Sequence, residues 1–239
     1  MTTDIAVNLQ KVTRQIEELC QLHNRKPEEI TLVGISKTKP VASIQSAVEK
    51  GLVHIGENKA QELTEKMGQL TDDRIIWHMV GQLQTNKIKY LADRVNWIQS
   101  VSRKKELKEI EKRATQAGRV INILIQVNIS GEDQKSGCAP EDLQQLLDYA
   151  SGLQHVSTRG LMGIATLTED RDQIRREFGS LAELKSQYRQ KYQAPVTLEH
   201  LSMGMTHDMD IAIEMGATMI RVGTAIFGAR EGQPAPTKQ

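Results

Sequence analysis

Ile30-Thr31-Leu32-Val33-Gly34-Ile35-Ser36-Lys37-Thr38-Lys39-Pro40 decides how the rest of the chain is read. A short Leu/Val/Ile run without a polar face suits a strand covered on both sides, as in a parallel sheet. The run stops at lysine, and Pro40 ends it. In parallel α/β folds, ligands bind beyond the carboxyl ends of the strands. Lys37 therefore falls where a reactive amine would be useful, although a lysine that merely ends a strand at the surface is the commoner case.

Outward from this stretch one unit recurs in type though not in sequence. Strand-like runs at 30–36, 52–56, 75–80, 96–101, 121–128, 157–164, 196–201 and 217–222 alternate with helical patterns. The helical patterns cover 41–50, 58–69, 83–92, 103–117, 140–151, 170–191 and 207–215. Gly51, Gly118, Gly152 and Gly216 stand at helix stop positions, and Pro140 suits a first helical turn. Eight such alternations predict a (β/α)8 TIM barrel. An open doubly wound sheet is the competitor, but no Gly-x-Gly-x-x-Gly follows the first strand.

Within 121–128 the four residues Ile121, Ile123, Ile125 and Val127 share one face and leave Gln126 and Asn128 on the other. Ahead of the first strand, Ile5, Leu9, Val12, Ile16 and Leu19 form the apolar stripe of an extra N-terminal helix, expected to pack across the domain or close its bottom. The chain 1–239 is thus read as one domain: a helix at about 3–24, a barrel at about 30–228 and a flexible tail at about 229–239.

Composition removes several function classes. The 31 Lys and Arg residues balance 30 Asp and Glu, so no nucleic-acid or anionic-membrane partner is indicated. Aromatic residues make up 3%, which disfavours a base-stacking strand binder. The two cysteines, Cys20 and Cys138, have neither disulfide-framework nor metal-site spacing. No apolar run approaches the roughly 20 residues of a membrane helix. With no signal-peptide pattern at the start, a cytoplasmic location is expected.

A barrel brings its strand ends to one mouth. Here these are Lys37, Glu57-Asn58, His78 with Gly81, Asn128, Met162-Gly163, Ser202-Met203-Gly204-Met205-Thr206 and Arg221-Val222-Gly223-Thr224. Loops after the seventh and eighth strands commonly hold phosphate, using backbone N–H groups, hydroxyls and glycines that permit close approach. Ser202-Met203-Gly204 and Gly223-Thr224 have that composition, and ordinary turn chemistry explains it equally well. Arg221 lies inside a strand, where its permanent charge needs a partner. Either a buried carboxylate or a ligand with a ring nitrogen or acidic group would serve. His78 reads first as a hydrogen-bonded core histidine. Asn58 and Asn86 suit either a ligand contact or helix caps.

Val33-Gly34-Ile35-Ser36-Lys37-Thr38-Lys39-Pro40, Gly56-Glu57-Asn58, Trp77-His78-Met79-Val80-Gly81, Gln84-Thr85-Asn86-Lys87, Ser202-Met203-Gly204-Met205 and Arg221 to Gly228 occur together and in order. In this the chain resembles the YggS/PROSC family, the pyridoxal phosphate homeostasis proteins. Lys59 and Met79 stand where aromatic residues are expected, a departure at the pocket rim. The resemblance implies a barrel like the N-terminal domain of alanine racemase, holding pyridoxal 5′-phosphate as a Schiff base on Lys37. It also implies that Ser202, Gly223 and Thr224 hold the phosphate, with backbone help from Met203 and Gly204. Arg221 would face the pyridine nitrogen and Asn58 would line the ring. Lys39 shares strand parity with Lys37, and only the motif chooses between them. No metal site is implied.

An acidic residue opposite the pyridine nitrogen would make the ring a strong electron sink, whereas Arg221 leaves it weak. Racemisation also needs an acid/base group on each face of the substrate. The expectation is therefore a monomeric carrier in vitamin B6 homeostasis, not an enzyme, with pyridoxal-phosphate-dependent apo-enzymes as recipients. An amino-acid racemase of the same fold, or a cofactor-free Schiff-base aldolase using Lys37, are the alternatives.

Overall fold

A computed structural model describes residues 4–132 and 136–229. Eight parallel strands close in sequence order: β1 (Thr31–Ile35), β2 (His54–Glu57), β3 (Ile76–Met79), β4 (Trp97–Val101), β5 (Ile121–Gln126), β6 (Val156–Met162), β7 (Val196–Ser202) and β8 (Met219–Val222). The last strand pairs with the first, with Val33 beside Arg221 and Gly34 beside Val222. The barrel expected from the alternation is present, and closure leaves no exposed sheet edge.

Helices α1 (Ile5–Leu22), α2 (Val41–Glu49), α3 (Ala60–Gln69), α4 (Lys104–Ala117), α5 (Leu143–Ser151), α6 (Arg171–Arg189), α7 (Met209–Glu214) and α8 (Thr224–Phe227) surround the barrel. The β3–β4 connection is the exception to the helical reading. Residues Thr85–Tyr90 form a 3-10 helix instead of an α-helix over 83–92. Its buried anchors Ile88 and Leu91 lie three apart, the spacing of the tighter helix. Gly51, Gly118 and Gly216 follow their helices with φ of 92°, 62° and 90°. Gly152 does not, since it ends α5 with φ −89°.

The extra helix α1 starts at Asp4, whose carboxylate accepts from the Val7 N–H at 3.1 Å. It buries Ile5, Leu9, Val12, Ile16 and Cys20, so the stripe ends on Cys20 and leaves Leu19 partly covered. It lies over the seam where the barrel closes, packing on α8, α2 and α7. The Asn8 side chain donates to Ile226 O at 3.1 Å. A cleft remains where α1 passes the starting ends of β1 and β2, lined by Leu9, Thr13, Thr31, Leu32 and His54 among others. This large cleft is at the opposite end of the barrel from the predicted site.

Most apolar side chains pack between strands and helices, with Ile121, Ile123, Ile125 and Val127 all in that layer as the alternation predicts. The lumen is different. A small cluster of Leu124, Met162 and Met219 with Trp97 fills part of it. His78, Gln99, Gln126, Ser202 and Arg221 are also buried. Buried polar groups persist only when hydrogen-bonded, and these partners shape the site. Among the described residues no helix is long and apolar enough to cross a membrane.

Candidate cofactor site at the barrel mouth

Lys37 is the second residue beyond β1. The loop that carries it is held from beneath by a buried ion-pair network. The Lys66 ammonium, from α3, donates to Ser36 O at 2.8 Å, Glu57 Oε1 at 2.6 Å and Glu62 Oε1 at 2.8 Å. The Ser36 hydroxyl donates to the same Glu57 oxygen at 2.5 Å. Glu62 Oε1 also accepts from the Thr38 N–H at 2.6 Å. Thr38 adopts φ +64°, which is unfavourable for a β-branched residue and is held here by that bond. Burial pushes the Glu57 carboxyl upward, against the pull of Lys66 and Ser36. Its second oxygen has no partner among the described residues. Lys37 itself is half-buried, and its ammonium makes no hydrogen bond or ion pair among the described residues. Lys39 Nζ instead donates to Ala229 O at 2.6 Å. Geometry thus separates the two lysines that parity could not.

Asn58 follows β2 and is half-buried. Its backbone lies against Gly81, where a Cβ would sit 2.1 Å from Asn58 O. The Ser100 hydroxyl holds Gly81 O at 2.6 Å. Only glycine fits this close approach.

Arg221 is 5% exposed. One terminal nitrogen donates to Ser202 Oγ at 2.6 Å and the other to Gly163 O at 3.1 Å. No carboxylate pairs with it among the described residues, so the buried-salt-bridge alternative is excluded. Burial pulls the guanidinium down to about 10, opposed by the field of Asp208. A cation this desolvated with only neutral acceptors is an incomplete arrangement.

The two phosphate-type loops flank it. The N–H groups of Gly204, Gly223 and Thr224 have no acceptor among the described residues. Met203 N–H is already bonded to Met219 O at 3.2 Å, so the backbone help expected from it is engaged. The Gly204 glycine also serves another purpose than foreseen: a Cβ there would lie 2.4 Å from Ala212 Cβ, so it admits α7. Ser202 departs from expectation as well. Its hydroxyl, fully buried, lies 2.7 Å from Gln99 Oε1 and takes the Arg221 bond, so it faces inward instead of waiting for a phosphate. Gly223 lies at the seam against β1, with its Cβ position 3.2 Å from Ile35 O. Thr224 is exposed at the first position of α8.

The structure brings Lys37, Asn58, Gly204, Arg221, Gly223 and Thr224 to one end of the barrel. His78 is fully buried below, as a hydrogen-bonded core histidine. Lys66, Glu62 and Gln99 were missed by sequence reasoning. The i,i+4 spacing of Glu62 and Lys66 was the available signal for the first two. For Gln99, it was the polar pair Gln99-Ser100 between the apolar residues of β4.

The model of the alanine racemase N-terminal domain family matches residues 7–231. The Pyridoxal phosphate homeostasis protein of Aquifex aeolicus is 41% identical over 223 residues, covering 93% of this chain and 97% of that one. PipY of Synechococcus elongatus PCC7942, solved with PLP bound, superposes with a TM-score of 0.78 at 34% identity, over 89% of this chain and 99% of that one. An alanine racemase from Streptomyces lavendulae shares the fold alone, with a TM-score of 0.73 at 17% identity over 95% of this chain and 58% of its own. The chain therefore belongs to the alanine racemase N-terminal domain family, among the pyridoxal phosphate homeostasis proteins.

Proposed function

We propose that this protein binds pyridoxal 5′-phosphate and acts in its homeostasis as a carrier without strong catalysis of its own. The observation that carries the reading is a buried Arg221 with no carboxylate paired to it, at the same barrel end as a lysine amine with no hydrogen bond or ion pair, both among the described residues. The names of the 41%-identical relative and of the PLP-bound PipY support it.

The group fits the residues present. Its aldehyde would take a neutral lysine amine, and Lys37 at the mouth makes no competing hydrogen bond or ion pair among the described residues. The N–H groups of Gly204, Gly223 and Thr224, with the Thr224 hydroxyl, would hold the phosphate. Asn58 lines the ring on a backbone fixed by Gly81. Arg221, its guanidinium held by Ser202, would donate toward the pyridine nitrogen without giving up a proton to it.

The same residues disfavour racemisation. A ring facing arginine is a weak electron sink. The thiol of Cys138, which bridges to Val127 just past β5, is buried and pushed up to about 12, so it is no base at neutral pH. Borohydride reduction followed by peptide mapping is expected to place the pyridoxyl group on Lys37. Lys37→Ala is expected to abolish visible absorbance. Label elsewhere, or enzymatic exchange of L- and D-amino acids, would overturn the assignment.

A further inference from the structure

Beneath Arg221 a run of polar side chains crosses the lumen, and cofactor binding as described does not account for it. Arg221 donates to Ser202 Oγ at 2.6 Å, and Ser202 Oγ lies 2.7 Å from Gln99 Oε1. Gln99 Nε2 lies 2.9 Å from His78 Nδ1, and His78 Nε2 lies 3.0 Å from His54 Nδ1. The five residues come from β8, β7, β4, β3 and β2.

Donor counting fixes the direction of this chain. Arg221 can only donate, so Ser202 accepts from it and gives its single proton to Gln99 Oε1. The Gln99 amide then faces His78 with its NH2, which requires a bare Nδ1 and a proton on His78 Nε2. That proton meets His54 Nδ1, which must also be bare. Turning the Gln99 amide over would reverse all of this: two donors would converge on Ser202, and both histidines would change tautomer. The two polarities exclude each other, so the amide orientation is a two-state element.

We propose that Gln99 is a positioning residue for the cofactor: by taking the Ser202 proton it fixes Ser202 as the acceptor that holds Arg221, and His78 and His54 lock its amide. This role rests on the pyridoxal phosphate reading. The surroundings favour neutral rings. His78 faces His54 and His200, both histidines, and its burial holds it well below the usual range. His54 lines the cleft beside α1 and faces His200. His200 in turn sees Arg159, Glu199 and Lys185, and Asp208 is the charge acting on Arg221.

Two measurements on the full chain test this. Nitrogen-15 NMR of the histidines, before any pyridoxal 5′-phosphate is added, is expected to show His78 protonated on Nε2 with Nδ1 bare and hydrogen-bonded. In Gln99→Met the Nδ1 hydrogen-bond shift is lost, while in Ser202→Ala it stays. Equilibrium binding of pyridoxal 5′-phosphate is then compared across Gln99→Met, Ser202→Ala and the double variant. Each single change is expected to weaken binding about tenfold, and the double change about tenfold as well, because both act through one hydroxyl. A His78 proton on Nδ1, additive losses near a hundredfold, or a folded Gln99→Met variant that binds like wild type would overturn the proposal. Absence of binding in the wild-type protein would sink the cofactor reading itself, and the tautomers are read independently of it.

Discussion

Arg221 meets Ser202 Oγ at 2.6 Å and Gly163 O at 3.1 Å, and no carboxylate pairs with it among the described residues. Removing a buried charge that has no ion-pair partner relieves its desolvation cost and strands no opposite charge. Arg221→Met is therefore expected to keep stability within about 1 kcal/mol of wild type or raise it. Binding of pyridoxal 5′-phosphate should fall about 10- to 100-fold, the worth of a charge-assisted hydrogen bond. Urea unfolding and equilibrium titration check the two halves. A large stability loss with unchanged binding would make Arg221 a structural residue.

The Lys66–Glu57 pair makes the contrary prediction. Lys66 and Glu57 are both buried, and one Glu57 oxygen already lacks a partner. Lys66→Met strands a buried carboxylate beside Glu62 and should cost about 3–5 kcal/mol. Glu57→Gln keeps acceptor and shape, and should cost clearly less. Because the network also holds Thr38 at positive φ, Lys66→Met is expected to slow Schiff-base formation at Lys37. Equal losses in the two variants would count against a charge-based role.

The barrel was legible because its strands are short apolar runs and their stops are glycines, prolines and capping residues. The mouth followed from topology, since closure brings every strand end to one face. What failed was local. Ser202 was assigned to the phosphate by resemblance alone, and a sequence cannot show that Gln99, 103 residues away, reaches its hydroxyl. The connection at 83–92 was read as α because its apolar residues fit either helical period until their burial is known. Lys66 was not singled out, because only the fold turns it inward from α3 onto Glu57.

Gly81→Ala tests the support of Asn58 without touching any expected cofactor contact. Its Cβ would enter the space of Asn58 O, at 2.1 Å, and backbone must move. Overpacking of this kind costs about 1–3 kcal/mol. The variant should also weaken pyridoxal 5′-phosphate binding several-fold, because the β2 loop is displaced. Thermal unfolding with and without added cofactor measures both. Wild-type behaviour in both would mean that Asn58 lines nothing.

The histidines of the lumen predict how stability depends on pH. His54, His78 and His200 are all lowered, in each case first by burial. When the folded value is depressed, the unfolded chain binds the proton first, so stability is present above about pH 6.5 and falls as pH drops toward the folded values. Each group contributes up to about 1.4 kcal/mol per pH unit within its own window. Glu57 acts with the opposite sign, because its raised carboxyl favours the folded state as pH falls toward its own range. That gain is complete below about pH 4.5 and lost as pH rises through the raised folded value, so between pH 7.5 and 6 one opposing carboxyl meets three histidines. Urea midpoints should therefore decrease over that interval, and His78→Gln should flatten the slope while lowering stability at pH 7.5. A midpoint that rises on acidification from pH 7.5 to 6 would mean that the lumen histidines carry charge in the folded protein, and the one-directional hydrogen-bond chain to Arg221 could not then stand.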